Sequence, residues 1–172
     1  MAKPDYNLFD KEEYPIEDLK DLSIGIIRTE WNHKIVDHIT ASCHQSLIDL
    51  GVPAENIHIS KVPGSFELPT GAKYMANSHH KPHAVICLGC VVQGATKHDD
   101  YINHTIARAI SQLSLVSNKP IIFGVLTTNT MEQAEERAGG SHGDKGIESA
   151  HAALKMISLK QQLAEKGKKI SF

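Results

Sequence analysis

The chain has 172 residues, 41% of them hydrophobic and 22% charged, which fits one ordinary globular domain and excludes wholesale disorder. Lys+Arg 18 against Asp+Glu 20 gives a net charge of −2, so there is no cationic excess for a nucleic-acid partner. No apolar run approaches the ~20 residues of a membrane helix, and a start carrying Lys3, Asp5 and Asp10 lacks the apolar core of a secretory signal. Three cysteines, few and odd in number, argue against a disulfide framework and for a reducing, cytoplasmic location.

Residues 1–22 are polar and broken by Pro4 and Pro15, which predicts an arm that orders only when something holds it. The domain proper is expected over 23–172. Residues 23–29, short and β-branched, read as a buried strand. Ile35, Val36, Ile39, Cys43, Leu47 and Leu50 have helical spacing over 33–50, closed by Gly51. A strand follows at 56–62, and a helix at 66–77 with Pro69 in its first turn. The run 83–92 is a third buried strand, 100–117 a helix, and 120–126 a fourth strand. Helices at 130–138 and 145–166 close the chain. Four strand–helix alternations predict a mainly parallel sheet covered on both faces.

Ligands of open α/β sheets bind beyond the carboxyl ends of the strands. The segments there are Glu30-Trp31-Asn32, Pro63 to Glu67, Gln93 to Asp100, and Thr127 to Thr130. Trp31 reads as a stacking surface for a ring or as a cap on the sheet edge, with Phe66 nearby. Gly94-Ala95-Thr96 reads as a phosphate seat at a helix start or as an ordinary capped turn. His98 has the chemistry to move protons near neutral pH, or is a surface histidine. Glu67 would hold a ligand or cap its helix. Arg137 and Lys145 flank a glycine-bearing turn, as a phosphate clamp or as solvated charges. Cys87 and Cys90 form a C-x-x-C pair inside a strand, where positions three apart face opposite sides, so no metal or redox role is expected. His79, His80 and His83 cluster in a polar loop. The chain lacks H-E-x-x-H, G-x-G-x-x-G, a Walker loop and G-x-S-x-G.

Taken in order, Gly25 to Asn32, Val62 to Pro69, Gly89 to His98, Pro120 to Thr128, Glu132 to Gly139 and Gly143 to Gly146 make the chain resemble the 6,7-dimethyl-8-ribityllumazine synthase family from about Ser23 to Leu159. The resemblance implies a flavodoxin-like αβα sandwich on a four-stranded parallel sheet, assembled as pentamers and, in many members, as twelve pentamers in a hollow shell. The arm would then add a strand to the neighbour's sheet. The implied reaction condenses 5-amino-6-(D-ribitylamino)uracil with L-3,4-dihydroxy-2-butanone 4-phosphate, releasing phosphate and water, with no cofactor and no metal. The resemblance also admits association with riboflavin synthase.

Residue by residue, it implies that Trp31 stacks on the pyrimidine, and that Asn32, Ser65, Phe66 and Glu67 line the pyrimidine and ribityl pocket. Val91 and Val92 would supply backbone contacts, Gly94, Ala95 and Thr96 the phosphate seat, and His98 proton transfer. Phe123, Arg137 and Lys145 would reach in from the adjacent subunit, Arg137 as the phosphate clamp, with Glu148 beside them. Three departures thin the positive charge or set a carboxylate near it: Asp99 replaces a usual Phe, Gln93 a Lys or Arg, and His142 a Lys. The turn from Arg137 to Lys145 carries no insertion, which favours the full shell. The competing readings are a non-catalytic flavin- or pterin-like binding module and a purely structural shell.

Overall fold

A computed structural model describes residues 19–168; the first eighteen residues of the expected arm lie outside them. Leu19–Asp21 form one 3-10 turn, and Leu22 is buried in the core.

The strands are β1 (Ile24–Thr29), β2 (Ile57–Val62), β3 (Ala84–Val92) and β4 (Ile121–Thr128). The helices are α1 (His33–Asp49), α2 (Leu68–Ala76), α3 (His98–Ser117), α4 (Met131–Glu136) and α5 (Lys145–Lys168). β1 and β3 are buried on both sides almost throughout, as strands between two helical layers must be. All four pair in parallel in the order β2-β1-β3-β4. The chain starts in the middle, steps out to β2, and returns past β1 to β3. Adjacent connections therefore leave β1 and β3 in opposite directions and open a crevice between their carboxyl ends.

Helices α1 and α5 cover one face, packing Val36, Ile39 and Leu154 on Ile26, Ile86 and Leu88. Helices α2 and α3 cover the other, packing Leu68, Ala72 and Ile106 on Ile27, Val85 and Val125. This is the expected three-layer flavodoxin-like sandwich. Two glycines allow the layers to close. A Cβ at Gly124 would come within 2.5 Å of Ser149 Oγ on α5, and one at Gly146 would overlap the Ile39 carbonyl of α1.

The element boundaries differ from expectation in three places that matter for the site. Helix α3 begins at His98 rather than 100, and β4 runs on to Thr128 rather than 126. The helix expected over 130–138 stops at Glu136, and the chain folds into a hairpin of β5 (Ala138–Gly140) and β6 (Gly143–Asp144). Gly139 and Gly143 adopt φ of 92° and 93°, a left-handed backbone that a helix cannot contain and that glycine tolerates.

Cys87 packs in the α2–α3 layer and Cys90 in the α1–α5 layer, so the C-x-x-C pair straddles the sheet. Burial pushes the Cys87 thiol up to about 12 and the Cys90 thiol up to about 11. Cys43 is raised further, by burial first and then by the charge of Asp144. Ellman's reagent at pH 8 is expected to modify none of the three thiols in the folded protein and all three after denaturation. Gly146→Ala is expected to cost about 1–3 kcal/mol, read as a lower urea midpoint with an unchanged m-value.

Candidate active site

The crevice has an uneven floor. Pairing between β1 and β3 ends at Arg28↔Leu88, whereas β3 continues to Val92 against Thr128 of β4. Residues Gly89 to Val92 therefore have no strand on their β1 side, and their backbone polar groups there must find other partners. Asn32 supplies one: its Nδ2 donates to the Cys90 carbonyl at 2.8 Å. Asn32 stands at the N-cap of α1 in the left-handed region, φ 54°, with no capping bond from its side chain. Asparagine is among the few non-glycine residues that adopt this conformation readily. Its amide is thus spent across the crevice instead of on its own helix.

Two aromatic side chains border this floor. Trp31 is 73% exposed and Phe66 58%, so neither caps the sheet. A Cβ on Gly64 would lie 3.6 Å from Trp31 Cδ1, which sets the indole beside the turn that follows β2. That turn is held by Glu67, whose Oε2 accepts the Gly64 N–H at 3.0 Å. Both readings of Glu67 thus coexist: one oxygen fixes the turn, and the other makes no hydrogen bond among the described residues. Ser65 is buried and approaches β3 where Gly89 has no side chain; a Cβ there would lie 3.0 Å from Ser65 Oγ.

Gly94, Ala95 and Thr96 are exposed, and their backbone N–H groups donate to no described residue. They lead directly into α3, twenty residues long, with Lys97 at its N-cap and no capping side chain. Free N–H groups therefore adjoin the positive end of the helix dipole. His98 opens the helix there and is exposed. Asp99 makes no hydrogen bond or ion pair with it; Asp99 Oδ1 and Asn103 Oδ1, one turn apart, are both shielded from solvent without a partner.

The cations gather elsewhere. Arg137 Nη2 lies 3.1 and 3.2 Å from the two oxygens of Glu148, and Nη1 donates to the His142 carbonyl at 3.0 Å. Lys145 Nζ donates to Glu148 Oε2 at 2.6 Å, and its backbone N–H to the Arg137 carbonyl at 2.9 Å. Two cations thus share one carboxylate, and the cluster keeps a net positive charge. His142, in place of a further cation, lies 3.6 Å from Glu136. Glu136 also accepts the Ser141 N–H at 2.9 Å, and the Ser141 bonds, followed by His142, hold its carboxyl below the usual range.

One chain therefore brings together Trp31, Asn32, Ser65, Phe66, Glu67, Val91, Val92, Gly94 to Thr96 and His98 at the carboxyl edge. Arg137, Lys145 and Glu148 form a separate group. No hydrogen bond or ion pair joins them to Trp31, Glu67 or His98 among the described residues. Phe123 sits mid-strand opposite Cys87, 37% exposed. In the polar loop, His80 stacks on His58 at 3.7 Å. Burial, then the charges of His80 and His79, lower the His58 pKa. Among the described residues no group of three or more histidines, cysteines or carboxylates is arranged to hold a metal ion, and no helix is long and apolar enough to cross a membrane. The sequence reading missed Asp144, buried where the hairpin meets α5; its only signal was an acid immediately before a helix start.

Comparison with known proteins points the same way as this geometry. The 6,7-dimethyl-8-ribityllumazine synthase family matches residues 21–161. A protein of Porphyromonas gingivalis named 6,7-dimethyl-8-ribityllumazine synthase is 47% identical over 161 residues, covering 94% of this chain and 99% of that protein. Proteins of the same name from Parabacteroides distasonis and Flavobacterium johnsoniae are each 43% identical, covering 92% and 94% of this chain and 98% and 85% of their own. The chain belongs to the 6,7-dimethyl-8-ribityllumazine synthase family.

Proposed function

We propose that this chain is a transferase of riboflavin biosynthesis that condenses 5-amino-6-(D-ribitylamino)uracil with L-3,4-dihydroxy-2-butanone 4-phosphate, releasing phosphate and water. The carrying observation is the stretch of β3 that overruns β1, with Asn32 on the Cys90 carbonyl and the exposed Trp31 and Phe66 at its border. A planar heterocycle stacks on such an indole and hydrogen-bonds to the backbone of Val92; the backbone of Val91, expected to share this role, faces β4 instead. The free oxygen of Glu67 takes ribityl hydroxyls.

The amine of the uracil attacks the ketone to give an imine with loss of one water. Elimination of phosphate then leaves an enol that tautomerises to a second ketone, and the ribitylamino nitrogen attacks it and closes the ring with loss of a second water. Holding both reactants in one crevice supplies up to roughly 7–11 kcal/mol, and His98, next to the phosphate seat, moves the protons, worth about 10²–10⁴-fold. The departing phosphate is bound by the N–H groups of Gly94, Ala95 and Thr96 and by Arg137. Lys145 and Glu148 hold Arg137 ready, Glu148 occupying the guanidinium until phosphate replaces it. A non-catalytic relative would draw on thinned positive charge. Against it stand two cations kept together on one carboxylate.

In this reading Phe123, Arg137 and Lys145 of one copy complete the site of the next, in pentamers and in a closed shell. Its support is the separation of the two groups within one chain. The edge strand β2 also leaves Ile59, Ser60 and Lys61 exposed, where the part of the expected 1–22 arm ahead of Leu19 would pair with a neighbouring copy; Leu19 to Leu22 pack on their own chain instead. The domain then spans 23–172. A cytoplasmic location goes with three free thiols. Association with riboflavin synthase rests on the family alone.

His98→Ala is expected to lower kcat about 10²–10⁴-fold, while Arg137→Ala nearly abolishes turnover; lumazine fluorescence from the two purified substrates measures both, and a fully active Arg137→Ala removes the clamp. Co-assembly of His98→Ala with Arg137→Ala chains is expected to recover activity that neither has alone. Mixed assemblies that stay inactive put the whole site within one chain. Light scattering on the same samples reads the assembly size.

A further inference from the structure

The geometry points to Asp144, acting with His38 and Ser42 of α1, as the group that positions the phosphate-binding cations without touching substrate. The inference rests on the assignment of Arg137 and Lys145 to the phosphate.

Asp144 is the last residue of β6 and only 8% exposed. Its Oδ1 accepts the Gly146 N–H at 2.8 Å and the Ile147 N–H at 3.2 Å, which caps α5. The same oxygen accepts Ser42 Oγ–H at 2.6 Å, and Oδ2 pairs with His38 Nε2 at 3.2 Å. Two of these four bonds serve the local helix, and two reach across to α1. A buried carboxylate with so many donors is fixed in place, because moving it would strand charge in a poorly solvated site.

What it fixes is the cation pair. Ala138, next to Arg137, stands opposite Asp144 in the hairpin. Lys145 follows Asp144 directly and holds the Arg137 carbonyl through its N–H. Glu148, which takes both side chains, lies one turn into the helix that Asp144 caps. The hairpin also rests on α1 itself: a Cβ on Gly139 would lie 2.6 Å from His38 Nε2. Arg137 and Lys145 are thus registered against the sandwich through α1 and not through their own hairpin alone.

Asp144→Asn tests this, since asparagine caps a helix about as well as aspartate but loses the charge and one of the two acceptors that reach α1. The expected result is a rise in KM for the phosphorylated ketone of about ten- to a hundredfold, an equal weakening of inhibition by inorganic phosphate, and an unchanged KM for the ribitylaminouracil. Ser42→Ala, which removes a single oxygen, should give a smaller rise with the same selectivity, and it decides the matter if Asp144→Asn does not fold. Equal losses for both substrates, or unchanged kinetics, overturn the positioning role. Arg137→Ala run in parallel, with its affinity for inorganic phosphate read by calorimetry because its turnover is nearly lost, separates the two ideas. If it binds phosphate as the unaltered chain does, the phosphate assignment has failed; if it binds phosphate more weakly and the Asp144 and Ser42 variants do not, only the positioning role has.

Discussion

The structure turns on an inequality in strand length at the centre of a parallel sheet. A backbone that runs past its neighbour leaves polar groups facing an open crevice, and buried or half-buried backbone groups need partners. In this fold the inequality falls at the point where successive connections diverge, so nothing from the sheet itself fills the gap. Asn32 satisfies one carbonyl, and the rest of the edge remains available to a flat molecule. The turn after β2 and the start of α3 are the other walls of the same opening, since each follows an adjacent strand.

The second constraint is electrostatic. A phosphorylated substrate needs fixed positive charge, and a cation pair close together needs a counter-charge while the site is empty. Glu148 provides it and, under the assignment proposed above, competes with the ligand for the same cations. The helix start at His98 adds dipole and N–H groups without adding net charge. The Arg137 cluster belongs to the helical layer of α1 and α5, whereas Ser65, Phe66 and Glu67 lie beside Gly89 and α2 on the opposite face.

Most of this could be read from the residues. Strand and helix periods gave the layers because β1 and β3, buried on both faces, carry nearly unbroken apolar runs, and because the helices keep one clean stripe. The site edge followed from the parallel topology alone. What periodicity could not show was the hairpin after α4, whose shape depends on left-handed glycines and not on apolar spacing. Nor could it show Asp144, whose role lies in distant partners: Ser42 is 102 residues away. The overhang of β3 was hidden for a related reason, since register between strands is a tertiary fact that no single segment carries. The orphaned oxygens of Asp99 and Asn103 likewise emerge only from packing.

The three sealed sulfurs give the molecule a built-in clock. Cys43 and Cys90 lie under one helical layer and Cys87 under the other, so alkylation at each can proceed only when its own layer lifts from the sheet. Under slow labelling the rates report the free energy of each opening separately. Cys90 belongs to the residue whose carbonyl Asn32 holds, so its rate follows breathing of the crevice edge, while Cys43 and Cys87 wait for the body of the sandwich to part.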